Sequence, residues 1–177
     1  MDIRKAKVED LEDIYALGKS VWGQETATRE SLAKRIELFS AGFPVAYVEG
    51  QLVGIASSAR LPAGHQVDEY YAAFYPWERV HKPGGSIFYL YSTTVHPLHR
   101  QKGIWKELIR FRIEAAKVLP GIEKVWVVGR KLPNEYGPAT APLLEKLGFS
   151  SIKEFPDGYG KTDVLLELLP PYSLDGS

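Results

Sequence analysis

The 177-residue chain contains no cysteine. Disulfides and thiolate metal sites are thereby excluded, and a cytoplasmic setting is expected. It has no excess of either charge, with 22 basic and 22 acidic residues. No global field draws it to nucleic acid or to an anionic membrane, and no basic stripe suggests a nucleic-acid partner. No window approaches the roughly 20 apolar residues needed to cross a bilayer. The opening stretch "MDIRKAKVEDLEDIY" is charged throughout, so no secretory leader is read there. Neither G-x-x-x-x-G-K-[ST] nor G-x-G-x-x-G is found. Without an internal repeat or a linker, the chain reads as one soluble globular domain over residues 1–170 with a tail at 171–177.

What is there alternates in a definite order. "DIRKA" reads as a first strand, and Val8, Leu11, Ile14, Tyr15 and Leu17 then fall at helical spacing. "TRESLAKRIELFSAG" is a second helix, with Thr28 as its N-cap and Gly42 as its stop. Two strands follow, joined around Glu49-Gly50 as a hairpin. Residues 61–85 break the pattern: an aromatic insertion bounded by Pro and Gly, with Val67, Tyr70, Tyr71 and Phe74 at helical spacing. "SIFYLYSTTV" is a strand rich in aromatic and β-branched residues. It runs into a long helix that ends at Pro120-Gly121. "EKVWVVGR" is a strand buried on both faces, "APLLEKLGF" a short helix, and "SSIKEF" and "KTDVLLELL" closing strands.

The stretch "TTVHPLHRQKGIWKELI" joins that strand to the long helix. A helix opening this way leaves its first N–H groups without intrahelical partners, and its dipole adds partial positive charge. Gly103 admits close approach to the backbone, and Arg100 and Lys102 add full charges. Such a turn suits a phosphate or pyrophosphate. A solvated turn carrying two surface cations has the same composition.

At these residues the sequence resembles the GNAT superfamily of N-acetyltransferases. Val95, Pro97, Arg100 and Gly103 of "V-H-P-L-H-R-Q-K-G-I" match its acyl-CoA-binding signature, and "LLEKLGF" at 143–149 is similar to the end of its next helix. The resemblance implies an α/β (α+β) domain: a mixed, mostly antiparallel sheet splayed between strands 4 and 5 around the cofactor, flanked by helices. It implies acetyl-CoA as co-substrate, with no metal. Val95, Arg100, Gln101, Lys102, Gly103, Ile104 and Trp105, with Asn134, become cofactor-binding candidates. Three positions depart from the family pattern. Trp105 replaces a small residue, Leu144 a tyrosine that serves as general acid, and Gly137 an asparagine, with Asn134 one turn earlier.

The implied reaction is direct attack of a primary amine on the thioester. An alkyl amine has a pKa of roughly 10, so a proton must be taken from it at neutral pH. The strand before the turn offers Tyr89, Tyr91 and Thr93 on one face, and no carboxylate. Tyr and Thr are also ordinary strand formers. Tyr89, Tyr91 and Tyr136 are the catalytic candidates, Tyr136 as a substitute for the missing tyrosine at 144. Glu25 and Glu69 are other bases, and surface solvation accounts for both. Trp22, Glu25, Tyr71 and Phe74 are expected at the acceptor site. The aromatic insertion could roof that site, pack as core or contact a second copy in a homodimer. His96 and His99 flank Pro97 without an evident third ligand, so no metal site is expected. The acceptor is read as a small-molecule or peptide amine. A non-catalytic acyl-CoA sensor on the same scaffold is the rival reading, because the tyrosine and the strand carboxylate are both missing.

Overall fold

The structure is a computed structural model of the chain, and it describes residues 1–66, 76–134, 137–155 and 162–174. The strands are β1 (Asp2–Lys5), β2 (Pro44–Val48), β3 (Gln51–Leu61), β4 (Ile87–Val95), β5 (Lys124–Arg130), β6 (Ser150–Phe155) and β7 (Asp163–Leu168). The helices are α1 (Leu11–Trp22), α2 (Arg29–Phe39), α3 (Trp77–Val80), α4 (Ile104–Val118) and α5 (Ala141–Glu145). Hydrogen bonding orders the strands β1-β2-β3-β4-β5-β7-β6 in one mixed sheet. The chain divides into two compact units, residues 1–59 with 92–118, and residues 60–91 with 119–177. Strands β3 and β4 run through both.

In the first unit β1 pairs antiparallel with β2, and β2 with β3. The β2–β3 connection is tight because Glu49 and Gly50 both take positive φ, 51° and 80°, as a two-residue hairpin with the favoured twist requires. Thr28 caps α2 as expected: its side chain accepts from the Ser31 N–H at 3.2 Å. On one sheet face Ile14 and Leu17 of α1 and Leu32 and Ile36 of α2 pack with Val45, Leu52 and Ile55. On the other, Ile104 and Leu108 of α4 pack with Ala46, Val53 and Ala56. Each such side chain contributes about 1.5–3 kcal/mol when fully buried. Gly54 is what lets α4 sit so close: a Cβ there would lie 2.9 Å from Ile104 Cγ2.

In the second unit β4 and β5 pair in parallel from Ile87↔Lys124 to Leu90↔Val127. A parallel pair needs a crossover, and α4 is the helix of that crossover. β5 and β6 each pair antiparallel with β7. Gly129 allows α5 to rest on β5, since a Cβ there would lie 3.0 Å from Ala141 Cα. Of the helix expected in 61–85, the stretch from Val67 to Phe74 lies outside the described residues. Among the described residues, no helix is long and apolar enough to cross a membrane.

Candidate active site

The strand-to-helix turn is built in three steps. β4 ends at Val95, and the His96 N–H is held by the Val53 carbonyl at 2.8 Å. Pro97–His99 then form one tight 3-10 turn, with Pro97 at its start and the His96 side chain accepting from the Leu98 N–H. Finally Gln101 and Gly103 adopt positive φ, 61° and 80°, which reverses the chain into α4. Glycine takes that conformation without penalty. The Gly103 carbonyl accepts from the Glu107 N–H at 3.1 Å, so Gly103 is the residue at the helix mouth.

The mouth is open. Gln101, Lys102 and Gly103 are exposed, and nothing lies within 4 Å of where a Gly103 Cβ would stand. Arg100 is half-buried, its Nε donating to the Val95 carbonyl at 3.4 Å. Ile104 turns inward to the core, and Trp105 is half-buried. The first-turn N–H groups and the helix dipole therefore open at Gly103, with Arg100 and Lys102 close by in sequence. These are the elements a diphosphate needs.

The C-terminal half of β4 presents different chemistry on its two faces. Thr93 faces α4, where the Arg112 guanidinium donates to its hydroxyl at 2.7 Å. Arg112 is fully buried. Its other donors go to the carbonyls of Leu108 at 3.1 Å, Ser57 at 3.3 Å and Ser92 at 3.2 Å. Among the described residues no carboxylate offsets it, and burial lowers its pKa to about 9. Thr94 points the opposite way, is 5 % exposed, and accepts from the Trp22 indole N–H at 2.8 Å. Trp22 ends α1 and is half-buried, so this bond fastens the start of the 22–26 loop to β4.

The other candidates fall in several places. Glu25 is exposed in a 3-10 turn after α1. Tyr89 and Tyr91 belong to the second unit, their rings edge to face at 6.3 Å. Tyr89 is 1 % exposed, a core side chain, whereas Tyr91 is half-buried. Asn134, also in the second unit, closes a small loop by exchanging backbone hydrogen bonds with Gly137, and Arg130 binds its side-chain oxygen. Tyr136, Tyr71 and Phe74, with Glu69, lie outside the described residues. The rings of His96 and His99 are 5.7 Å apart, and among the described residues no group of three or more His, Asp or Glu could hold a metal.

The sequence reading did not single out Arg112 or Thr94. A signal for Arg112 is present. Ile104, Leu108, Arg112 and Ala116 recur every four residues on the buried stripe of α4, and an arginine on such a stripe marks an interior cation. Thr94 carries no such signal, because period-two alternation only assigns it to the other face from Thr93.

A family profile described as "Acetyltransferase (GNAT) family" matches residues 8–149. The curated protein "Probable hydrolase YhcX" of Bacillus subtilis (strain 168) is 29% identical over 143 residues, 76% of this chain and 26% of that protein. The chain thus spans about a quarter of that relative's length. Two solved structures share the fold. The "GphF GNAT-like decarboxylase in complex with isobutyryl-CoA" has a TM-score of 0.74 at 23% identity, covering 96% of this chain and 99% of that one. The "loading GNATL domain of CurA from Lyngbya majuscula" has a TM-score of 0.72 at 21% identity, covering 95% and 96%.

Proposed function

The chain belongs to the acetyltransferase (GNAT) family, and on that premise we propose that it transfers an acetyl group from acetyl-CoA to a primary amine of a small-molecule or peptide acceptor. The observation that carries the cofactor half is the open helix mouth at Gly103, with φ of +80° and no atom within 4 Å of its Cβ direction. Exposed Gln101 and Lys102, half-buried Arg100 and the N–H groups of Ile104 and Trp105 would hold the diphosphate of CoA there. In the transfer, the amine nitrogen attacks the thioester carbonyl carbon and the C–S bond breaks. The proton lost by the amine balances the thiolate released. A thiol pKa near roughly 8.5 makes that thiolate a tolerable leaving group without a dedicated acid, which fits Leu144 in place of the family's tyrosine. β4 carries no carboxylate to take the amine proton, so that proton leaves to water. Trp22 holds the 22–26 loop, where an acceptor would meet the strand.

The decisive assay is acetyl-CoA against a broad panel of amines, with thiol release as readout. Amine-dependent release supports the proposal. CoA binding without release against any amine supports a sensor instead.

One observation favours a second reading. β4 carries no carboxylate, and its two threonines each accept from a group that can only donate, so the strand offers protons and no strong base. That suits a reaction in which negative charge develops on the acyl oxygen, and the GphF structure is described as a decarboxylase. Malonyl-CoA incubation separates the readings. Loss of CO2 with formation of acetyl-CoA, and no amine-dependent thiol release, would select decarboxylation.

A further inference from the structure

In the second unit the chain that leaves β3 at Leu61 meets the chain that returns towards β4, and one histidine lies where they meet. Arg60 and His81 are both buried. The Arg60 N–H donates to His81 Nδ1 at 3.1 Å, and the Lys82 N–H donates to the Arg60 carbonyl at 2.8 Å. The Arg60 guanidinium reaches on to the carbonyls of Gly85 at 2.7 Å and Pro120 at 2.8 Å. Gly85 lies so close that a Cβ there would stand 2.4 Å from the Leu61 carbonyl oxygen. The His81 ring stacks on buried Trp77, the first residue of α3, with ring centres 4.5 Å apart and planes 9° from parallel. A backbone N–H can bond to an imidazole nitrogen only when that nitrogen carries no proton. His81 is therefore held neutral, with its proton on Nε2.

We propose that His81 is an acid-sensitive latch between the end of β3 and the chain returning to β4: neutral, it fastens the two together, and protonated, it lets them part. A proton on Nδ1 removes the acceptor and points a second donor at the Arg60 N–H. It also places a new cation among cations. The charged groups that act on the ring are Arg60 of β3 and Lys82 beside it in sequence, while Glu78 and Arg79 of α3 are exposed to solvent. Burial first, then Arg60 and Lys82, lower the His81 pKa from 6.5 to about 4. The parted chain binds the proton more readily than the joined one, so the latch is at full strength above about pH 6.5. It weakens by about tenfold per pH unit below that and reaches its limit near pH 4. The remaining contacts of the junction join guanidinium and backbone N–H donors to carbonyls, and none of these groups titrates in that range. The latch is independent of the acyl-CoA reading, since none of its residues belongs to the helix mouth.

The test is amide hydrogen exchange of the full chain, followed by NMR from pH 7 to pH 4 and corrected for the intrinsic effect of pH on exchange. Protection of the Arg60 and Lys82 amides should fall by at least about tenfold between pH 6.5 and 4.5, while the amides of β5 and β7 hold within about twofold. In the same samples the His81 ring should show its proton on Nε2 at pH 7 and titrate well below 6.5, a readout that needs no variant. His81→Asn offers a side-chain oxygen near the place of Nδ1 and cannot take a proton, so its Arg60 protection should not change with pH. His81→Phe keeps a ring on Trp77 and lacks the acceptor, so its Arg60 protection should be low at every pH. Titration of His81 at or above about 6.5, or Arg60 protection that ignores pH in wild type, would overturn the assignment. So would the same fall in His81→Asn. A fall shared by β5 and β7 would overturn it too, because that is acid unfolding of the whole unit and not release of a latch.

Discussion

Two arginines of the first unit treat their charge in opposite ways. At the β1–α1 corner, Arg4 grips Asp10 with two bonds of 2.7 Å each, and Asp10 also accepts from the Lys7 N–H and the Tyr47 hydroxyl, both at 2.8 Å. The hydrogen bond from Arg4 is the main reason the Asp10 carboxyl sits at about 2. Tyr47, desolvated and bonded to that carboxylate, is pushed up to about 12. On α4, Arg112 is buried more deeply and receives only neutral oxygens. The first arrangement is closed, because each charge is answered by another and every contact fastens β1, α1 and β2 together. The second is open, because among the described residues the cation meets only neutral oxygens. A buried cation that meets only neutral oxygens carries a desolvation cost that no counter-charge offsets.

The comparison breaks most easily at Asp10. Asp10→Ala removes one side chain and leaves Arg4, Tyr47 and the Lys7 N–H without their shared acceptor. Unfolding in urea should show a loss of about 3 kcal/mol, near the low end for a broken buried pair because Arg4 can still reach water. A loss below about 1 kcal/mol would make the corner an ordinary surface ion pair.

A second perturbation asks whether the open charge near the turn is aimed at a ligand. Gly103→Glu adds a side chain and a negative charge at the helix mouth, on a backbone of φ +80° that L-residues rarely adopt. Acetyl-CoA affinity should fall by at least about tenfold, or about 1.4 kcal/mol. Unchanged affinity in a folded Gly103→Glu protein would remove the cofactor from this turn.

Stability against pH should separate the two arginines, because only one of them is paired with a group that titrates. Asp10 has a folded pKa below its unfolded one, so its contribution is present in full above the ordinary carboxylate range and is lost as pH falls towards about 2. An Asp10→Asn protein should lack this acid-side slope. Arg112 adds no such slope. Burial lowers its pKa, but a guanidinium keeps its proton throughout the working range, so the burden of burying its charge is the same at every pH tested. Arg112→Met should accordingly cost less than about 1.5 kcal/mol at pH 7, since removing an unpaired charge offsets the lost hydrogen bonds. A cost of about 3 kcal/mol or more at pH 7 would show that Arg112 is fastened as firmly as Arg4.

The smallest effect concerns the tether. Trp22→Phe keeps the ring and deletes only the donor to Thr94, so thermal unfolding should report about 1 kcal/mol. Acetyl-CoA affinity should stay within about twofold. A larger loss of affinity would show that the Trp22–Thr94 bond shapes the ligand site as well as the fold.

The order of elements and the signature turn were legible in the sequence for local reasons. Alternation at 87–95, the four-residue stripe of α4, the Thr28 cap and the Glu49-Gly50 hairpin are all set by residues close together in the chain. The turn from Val95 to Gly103 is local too, which is why its residues could be named before its dihedral angles were known. Tyr89 shows the limit: alternation places it on the correct strand, but only packing makes it a core side chain.

The amino-acid sequence by itself determined which residues form the strand, the turn and the helix, because backbone preference, hydrophobic period and a glycine at a positive-φ position act over a few residues. The tertiary structure alone decided which side chains meet across long separations. Trp22 reaches Thr94 over 72 positions, Arg112 reaches Ser57 over 55, and Tyr47 reaches Asp10 over 37. Neither residue of such a pair carries a local mark of its partner. Whether an arginine is answered by a carboxylate or by neutral oxygens depends on which elements pack against it, and that is fixed only when the chain closes on itself.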